Sequence, residues 1–173
     1  MNREVVASTA RLDLCAPVME DVGALVALWS DPETMRYIGG GEPWDEVKVR
    51  LRVERAIDTF ADTGCAFYTI VERASGEVIG QGGLVPIEFN GKEIELGYRL
   101  GRAHWGKGYA TEVARASAAR GLGELGFERL VAVTYPENVG SRRVLEKTGF
   151  VEVGETDVYY GVRCVLYELV RDR

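Results

Sequence analysis

The feature that most constrains this chain is a change of hydrophobic period across one short segment, Trp105-Gly106-Lys107-Gly108-Tyr109-Ala110-Thr111. Before it, residues 66–73, 78–87 and 93–100 read as strands, with turn signals at Ser75-Gly76 and Asn90-Gly91 between them. Asn-Gly between apolar runs is a strong hairpin signal, so the three segments predict an antiparallel meander. After it, Ala110, Val113, Ala114, Ser117, Ala118, Leu122 and Leu125 fall on one helical face, and most are small. A helix with such a face can lie close to a sheet or a ligand.

A strand, a loop with two glycines and a helix start form an anion-binding arrangement. Successive loop N–H groups can point at one spot, and the helix adds its dipole and unpaired N–H groups. Such a loop can hold a pyrophosphate, and Lys107 adds positive charge at its mouth. Two other phosphate loops fit less well. The pattern GxxxxGK[ST] is absent, and a GxGxxG reading of Gly106, Gly108 and Thr111 lacks its third glycine and follows a meander rather than a first βαβ strand. A glycine turn that merely joins strand to helix is the bland alternative.

The flanks complete an α+β pattern. Residues 11–16 alternate as a short strand, and Val22, Leu25, Val26, Leu28 and Trp29 recur at helical spacing. Asp31-Pro32 opens a short helix that is predicted to run to about Ile38 and stop at Gly39, and a longer helix covers residues 45–62. Beyond the central helix come a strand at 129–135 and a helix capped by Asn138 and ended by Gly149. There a Schellman turn would let Phe150 touch Leu145. Strands at about 151–160 and 162–170 finish the chain. The expected fold is a mixed, mostly antiparallel central sheet flanked by helices, in one domain spanning residues 1–173.

Composition excludes several function classes. With 173 residues a sizeable core is possible without disulfides or a structural metal. A net charge of −6 argues against nucleic acid as partner. Within that acidic chain, residues 99–147 hold nine Lys/Arg against five Asp/Glu, a balance that suits a phosphorylated ligand or arises from chance clustering on the surface. Cys15, Cys65 and Cys164 lie far apart with no CxxC pair, as expected of reduced thiols in a cytoplasm. His104 is the chain's one histidine, so no multi-histidine metal site is expected. Neither a signal peptide nor a membrane span is apparent.

Glu95-Leu96-Gly97-Tyr98, the segment from Trp105 to Glu112, and Asn138-x-x-Ser141-x-x-Val144-Leu145-Glu146-Lys147-x-Gly149-Phe150 together resemble the GNAT superfamily of N-acetyltransferases. They resemble most its branch that includes the acetyltransferases of ribosomal-protein N-termini. Thr9-x-Arg11-Leu12, Asp31-Pro32-Glu33-x-Met35-Arg36-Tyr37-Ile38 and Gly76-Glu77-x-Ile79-Gly80 extend the resemblance over about residues 9–170. Trp105 stands where the superfamily often has Arg or Gln, and Cys15 where relatives often carry arginine.

The resemblance implies transfer of an acetyl group from acetyl-coenzyme A, as co-substrate, to a primary amine, without a covalent enzyme intermediate or a metal. The coenzyme's pyrophosphate would lie on Trp105, Gly106, Lys107, Gly108, Tyr109, Ala110 and Thr111. Its thioester would lie between the strands at 93–100 and 129–135, with backbone groups of Leu96, Gly97 and Tyr98 polarising the carbonyl. Glu95 matches the acidic residue expected to act as general base, with Glu93 on the same face by strand alternation, against the alternative that both are solvated charges. Asn138 and Ser141 match positions beside the coenzyme, and Ser141 is the candidate donor to the departing thiolate. Asn138 can equally be a helix cap. Arg142 and Lys147 are candidates for the phosphates, or a solvated face. His104 reads as a packing residue. Tyr37 and Trp44 flank the acceptor side, as pocket or as core. Acceptor candidates are a protein N-terminus, a small amine or amino acid, or an aminated drug, and the acidic remainder of the chain favours a cationic one. A coenzyme-binding sensor without turnover and a nucleotide-cofactor oxidoreductase are the competing classes. Dimers are common in the family, which leaves a homodimer among the expectations.

Overall fold

The computed structural model describes residues 3–87 and 93–171. Among these residues eight strands form one sheet: β1 (Val5–Ser8), β2 (Leu12–Cys15), β3 (Phe67–Glu72), β4 (Val78–Pro86), β5 (Ile94–Leu100), β6 (Arg129–Thr134), β7 (Val151–Thr156) and β8 (Cys164–Val170). Their spatial order is β1-β2-β3-β4-β5-β6-β8-β7, and every neighbouring pair is antiparallel except β5 and β6. The mixed, mostly antiparallel sheet and the β3-β4-β5 meander agree with the sequence reading. The turn expected at Asn90-Gly91 lies outside the described residues.

Among the described residues five α-helices cover the sheet: α1 (Val22–Trp29), α2 (Pro32–Met35), α3 (Glu46–Thr63), α4 (Tyr109–Ala119) and α5 (Val139–Lys147). Their ends follow local chemistry. The Asp31 carboxylate accepts from the N–H groups of Glu33 and Thr34, Asp45 accepts from Lys48, and Gly64 (φ 71°) closes α3 in the left-handed region. The second helix is shorter than expected, ending at Met35 with turn residues beyond it.

Strand alternation sends side chains to two layers. On one face Leu84, Leu96, Leu130, Ala132, Val165 and Tyr167 meet Ala114 and Ala118 of α4 and Leu145 of α5. The small face of α4 permits close approach, and a Cβ on Gly82 of β4 would lie 2.7 Å from the Val113 side chain. Phe150 joins the same cluster, and its N–H bonds the Leu145 carbonyl at 3.1 Å past Gly149 (φ 90°). On the other face α1, α2 and α3 share a second core of Val22, Leu25, Trp29, Met35, Val49 and Val53, with Trp44 from the loop before α3.

Two strands also differ from expectation. Strand β1 forms at Val5–Ser8, where the mixed composition gave no strand signal. It is an edge strand held by backbone pairing to β2, its register shifting between Val5 and Ala7. Strand β7 ends at Thr156 instead of continuing to 160, because Tyr160 (φ 61°) and Gly161 (φ 66°) take left-handed conformations that no strand accommodates.

Candidate active site

Strand β5 borders both layers and one gap. Along its β4 side it is paired over its full length, but its only register with β6 is Glu95 opposite Val131. From Leu96 onward the edge of β5 facing β6 has no strand neighbour. Two cavities of about 520 and 570 Å³ open onto this gap and share Tyr37, Ile38, Tyr98, Arg99, Asn138 and Ser141 on their walls. The first lies on the α1/α3 side and the second on the α4/α5 side.

The second cavity is built largely by backbone. Gly106 (φ 73°) and Gly108 (φ 82°) put the loop into left-handed conformations, and Gly108 is the N-cap of α4 without a side-chain cap. The first N–H groups of α4 are therefore left to a ligand. The Trp105 indole N–H donates to the Leu100 carbonyl at 2.8 Å and pins the loop to the end of β5. Beneath the loop, Arg11 donates from Nη2 to the Lys107 carbonyl at 2.8 Å, stacks on the Tyr109 ring at 4.4 Å and pairs with Glu112 at 2.5 Å. Thr9 also donates to Glu112, which gives the Thr9-x-Arg11-Leu12 motif a physical task as a buttress. The Tyr109 hydroxyl donates to Glu72 at 2.5 Å.

Trp105, Gly106, Gly108, Tyr109, Ala110, Thr111, Asn138 and Ser141 line this cavity, as do Arg143 and Lys147. Two expected cations do not. The exposed Lys107 contributes its carbonyl to Arg11, and its side chain is not part of the wall. Arg142 points to the other side of α5, donating to the Tyr167 hydroxyl at 3.1 Å, the Pro136 carbonyl at 3.4 Å and Glu152 at 3.0 Å. One position along the helix, about 100° of rotation, separates Arg142 from Arg143, which is exposed at the cavity wall. His104 lines the cavity and lies near Tyr109, with ring centroids 6.4 Å apart.

The first cavity holds the titratable chemistry. Glu95 is 8 % exposed and lines it together with Leu96 and Gly97. Burial pushes the Glu95 carboxyl up to about 7, against a smaller downward pull from the Tyr160 hydroxyl that donates to it. The alternative of a solvated charge does not hold for this residue. Glu93 is committed elsewhere, to Arg129 at 2.6 Å and the Tyr159 hydroxyl at 2.9 Å. Where the two cavities meet, the Tyr98 hydroxyl donates to the Ser141 carbonyl at 3.1 Å and shares a 3.0 Å hydrogen bond with Ser141 Oγ. Burial raises the Tyr98 phenol well above its ordinary value, so it keeps its proton at any physiological pH. Asn138 caps α5, its side chain accepting from the Ser141 N–H at 3.1 Å, and lines both cavities at the same time. Trp44 is both core and cavity wall, and the Tyr37 loop is tied across the gap by a 2.7 Å bond from the Tyr135 hydroxyl to Gly39.

Sequence reasoning missed Tyr160, Gln81 and Arg99. Tyr160 reaches Glu95 only because the strand breaks before it. Gln81 and Arg99 are ordinary polar positions in strands until the fold sets them side by side.

A family model for the GNAT acetyltransferase domain matches residues 11–151. The chain belongs to the GNAT acetyltransferase family. It is 32% identical over 146 residues to an N-acetyltransferase, p20, of Bacillus licheniformis, covering 84% of this chain and 82% of that one. It is 31% identical to the FsC-acetyl coenzyme A-N(2)-transacetylase of Aspergillus fumigatus, covering 84% of this chain and 64% of that protein. In fold it superposes on an acetyltransferase of Agrobacterium tumefaciens with TM-score 0.80 and 25% identity, covering 99% and 98% of the two chains. A RimL ribosomal-protein acetyltransferase in complex with coenzyme A gives TM-score 0.83 at 19% identity over 98% and 99%, a likeness of fold. No helix among the described residues is long and apolar enough to cross a membrane.

Proposed function

We propose that this GNAT acetyltransferase binds acetyl-coenzyme A along the α4/α5 side of the β5–β6 gap and acetylates a primary amine entering from the α1/α3 side. The observation that carries this reading is the continuity of the gap, from the uncapped N-terminus of α4 to a buried carboxyl whose proton is poised near neutrality.

The residues present fit the coenzyme. Open N–H groups at Gly108 to Thr111, with Arg143 and Lys147 on the facing wall, suit its phosphates. The unpaired edge of Leu96 to Tyr98 suits an amide-bearing chain that lies beside it as a short extra strand. When bound, the coenzyme supplies an activated acetyl thioester, so that one C–S bond is exchanged for one C–N bond, the thiol leaves protonated and one proton of the ammonium goes to solvent.

The protein supplies position and proton transfer. Glu95 takes the proton of the incoming ammonium, directly or through water, and a carboxyl held near 7 is matched to that task. The Tyr160 hydroxyl holds the carboxyl in place. Strand N–H groups alternate between the two edges, and those between Leu96 and Tyr98 that face the gap would polarise a carbonyl lying there. Tyr98 and Ser141 keep two hydroxyl protons where the cavities meet, one of them available to a departing sulfur.

Thermal unfolding with acetyl-coenzyme A, NAD and ATP tests the binding half. Ligand at 100 times its dissociation constant stabilises the folded state by roughly 2.7 kcal/mol. A rise specific to acetyl-coenzyme A is expected, followed by thiol release with primary amines. A rise with NAD instead, or none at millimolar acetyl-coenzyme A, would sink the assignment. A rise without thiol release from any amine would leave a binding module in place of an enzyme.

A further inference from the structure

The wall of the first cavity carries two arginines, Arg52 and Arg99, against one carboxylate, Glu95. Gln81 of β4 lies opposite Arg99 of β5 in the ladder, which puts both side chains on the α1/α3 face. Gln81 is 5% exposed and lines the cavity, and its Nε2 has no hydrogen-bond partner among the described residues. The Nε of Arg99 is likewise buried without a partner. The Arg99 guanidinium stacks on the rings of Trp29 and Trp44, 4.1 and 4.4 Å from their centroids, and its one hydrogen-bond acceptor among the described residues is the Met35 sulfur, at 3.8 Å.

A second guanidinium comes from α3. Arg52 lies 5.4 Å from the Trp44 ring and lines the same cavity. Neither arginine forms a salt bridge among the described residues, and the one carboxylate lining this cavity, Glu95, is held by Tyr160. Burial, reinforced by Arg52, pulls Arg99 down to about 9, which still leaves it charged at neutral pH. Indole stacking offsets part of the cost of desolvating a cation, but it satisfies none of the N–H donors. Two guanidinium groups and a carboxamide facing one space suit a planar anion that accepts several hydrogen bonds at once.

We infer that this wall is the anion subsite of the acceptor, and that the amine acetylated by this enzyme carries a carboxylate held by Arg99, Arg52 and Gln81. The inference rests on the acetyl-transfer reading above and names the substrate class of that site. Its local field runs against the acidity of the chain as a whole, which by itself favours a cationic acceptor. Glu95 and Arg99 are four residues apart on one strand, about 13 Å between Cα positions at ~3.3 Å per residue. Between them Gly97 has no side chain of its own and is covered by the Phe67 ring, 3.0 Å from where a Cβ would stand, which gives that span an apolar floor. Several bonds therefore separate amine from carboxylate, as in an ω-amino acid or an acidic peptide N-terminus.

The test compares ε-aminocaproate, n-hexylamine and hexamethylenediamine as acceptors at fixed acetyl-coenzyme A, scored by thiol release in the wild type, Arg52→Gln and Arg99→Gln. A peptide with glutamate after its first residue, against its glutamine counterpart, separates a peptide source from a small molecule. Thermal stability of the coenzyme A-bound protein with and without ε-aminocaproate gives a readout that needs no turnover. The expected result is a kcat/KM at least tenfold higher for a carboxylate-bearing acceptor than for its neutral partner, expressed in KM. Both variants should cut that preference at least fivefold and remove the added stabilisation. Arg99→Gln disturbs two indole contacts and risks misfolding, so the exposed Arg52 carries the test if that variant fails. Equal use of hexylamine, preference for the diamine, or variants that lose stability while keeping the same preference would overturn the subsite and leave acetyl transfer standing. No stabilisation by acetyl-coenzyme A and no thiol release with any acceptor would overturn the transfer reading, and the subsite with it.

Discussion

On the α4/α5 side of β5 the surface offered to a ligand is mostly main chain: two left-handed glycines, an uncapped helix start and an unpaired strand edge. On the α1/α3 side it is side chain, with a buried carboxyl and a cluster of arginine, glutamine and tryptophan drawn from several elements. Backbone groups cannot be changed by substitution except through their conformation, so the first side suits a ligand common to a whole family. Side chains can be exchanged one at a time, so the second side suits the partner that distinguishes one member from another. Strand β5 serves both because successive residues face opposite layers.

The largest expected effect breaks the second side while sparing the first. Glu95→Gln should lower kcat by 10²- to 10⁴-fold, the usual worth of a general base, and remove the rise of rate with pH centred near 7. The same variant makes a stability prediction of opposite sign. Folded Glu95 keeps its proton to about 7, whereas an unfolded glutamate loses it near 4.5. The wild type therefore loses stability as pH rises through that window, and the glutamine variant does not. Melting curves should show Glu95→Gln gaining over the wild type above pH 7, by at most about 3 kcal/mol, with the gain gone below about pH 4.5. Binding of acetyl-coenzyme A should persist, and its loss would show that the two sides are not separable.

Gly108→Val attacks the first side through its backbone. A branched side chain at φ 82° is strained, and its Cβ would lie 3.4 Å from Arg11 Nη2. About 1–2 kcal/mol of strain, released only by moving the loop, should raise the KM for acetyl-coenzyme A roughly tenfold. An unchanged KM would detach the loop from coenzyme binding.

A smaller effect separates two adjacent arginines. Arg143→Ala should raise the KM for acetyl-coenzyme A several-fold, with the difference fading at high salt, as expected for a cation beside phosphates. Arg142→Ala should leave that KM alone and instead slightly lower the melting temperature, through its lost contacts with Tyr167 and Glu152. The reverse outcome would put the phosphates on the other side of α5.

The smallest expected change is in Asn138→Ala, which removes the cap of α5 at a cost of about 1 kcal/mol, read as a lower melting temperature. Because Asn138 also lines both cavities, a KM change larger than the stability loss explains would mark a direct ligand contact.

The two sides also differ in how far they could be read from sequence. The loop from Trp105 to Thr111 was legible because glycine spacing and a helix start are local, and local geometry suffices to gather N–H groups. Glu95 was singled out through resemblance, but its burial was not foreseen, since that depends on its pairing with Val131 of β6 and on the Tyr160 turn. Arg142 and Arg143 could not be told apart without the azimuth of α5. Strand β1 gave no periodic signal because an edge strand is stabilised by backbone pairing and needs no alternating face.

The amino-acid sequence by itself determined the order of strands and helices from β2 onward, several of their caps, the mixed sheet and the glycine loop before α4, because each follows from hydrophobic period, turn chemistry and hydrogen bonding among near neighbours in the chain. Only the tertiary structure decided the parting of β5 from β6 after Glu95, the turn that delivers Tyr160 to that carboxyl, and the meeting of Gln81, Arg99 and Arg52 around two indoles. These join residues tens of positions apart, and desolvation and the pairing of polar groups across such distances exist only once the sheet and its two layers have closed.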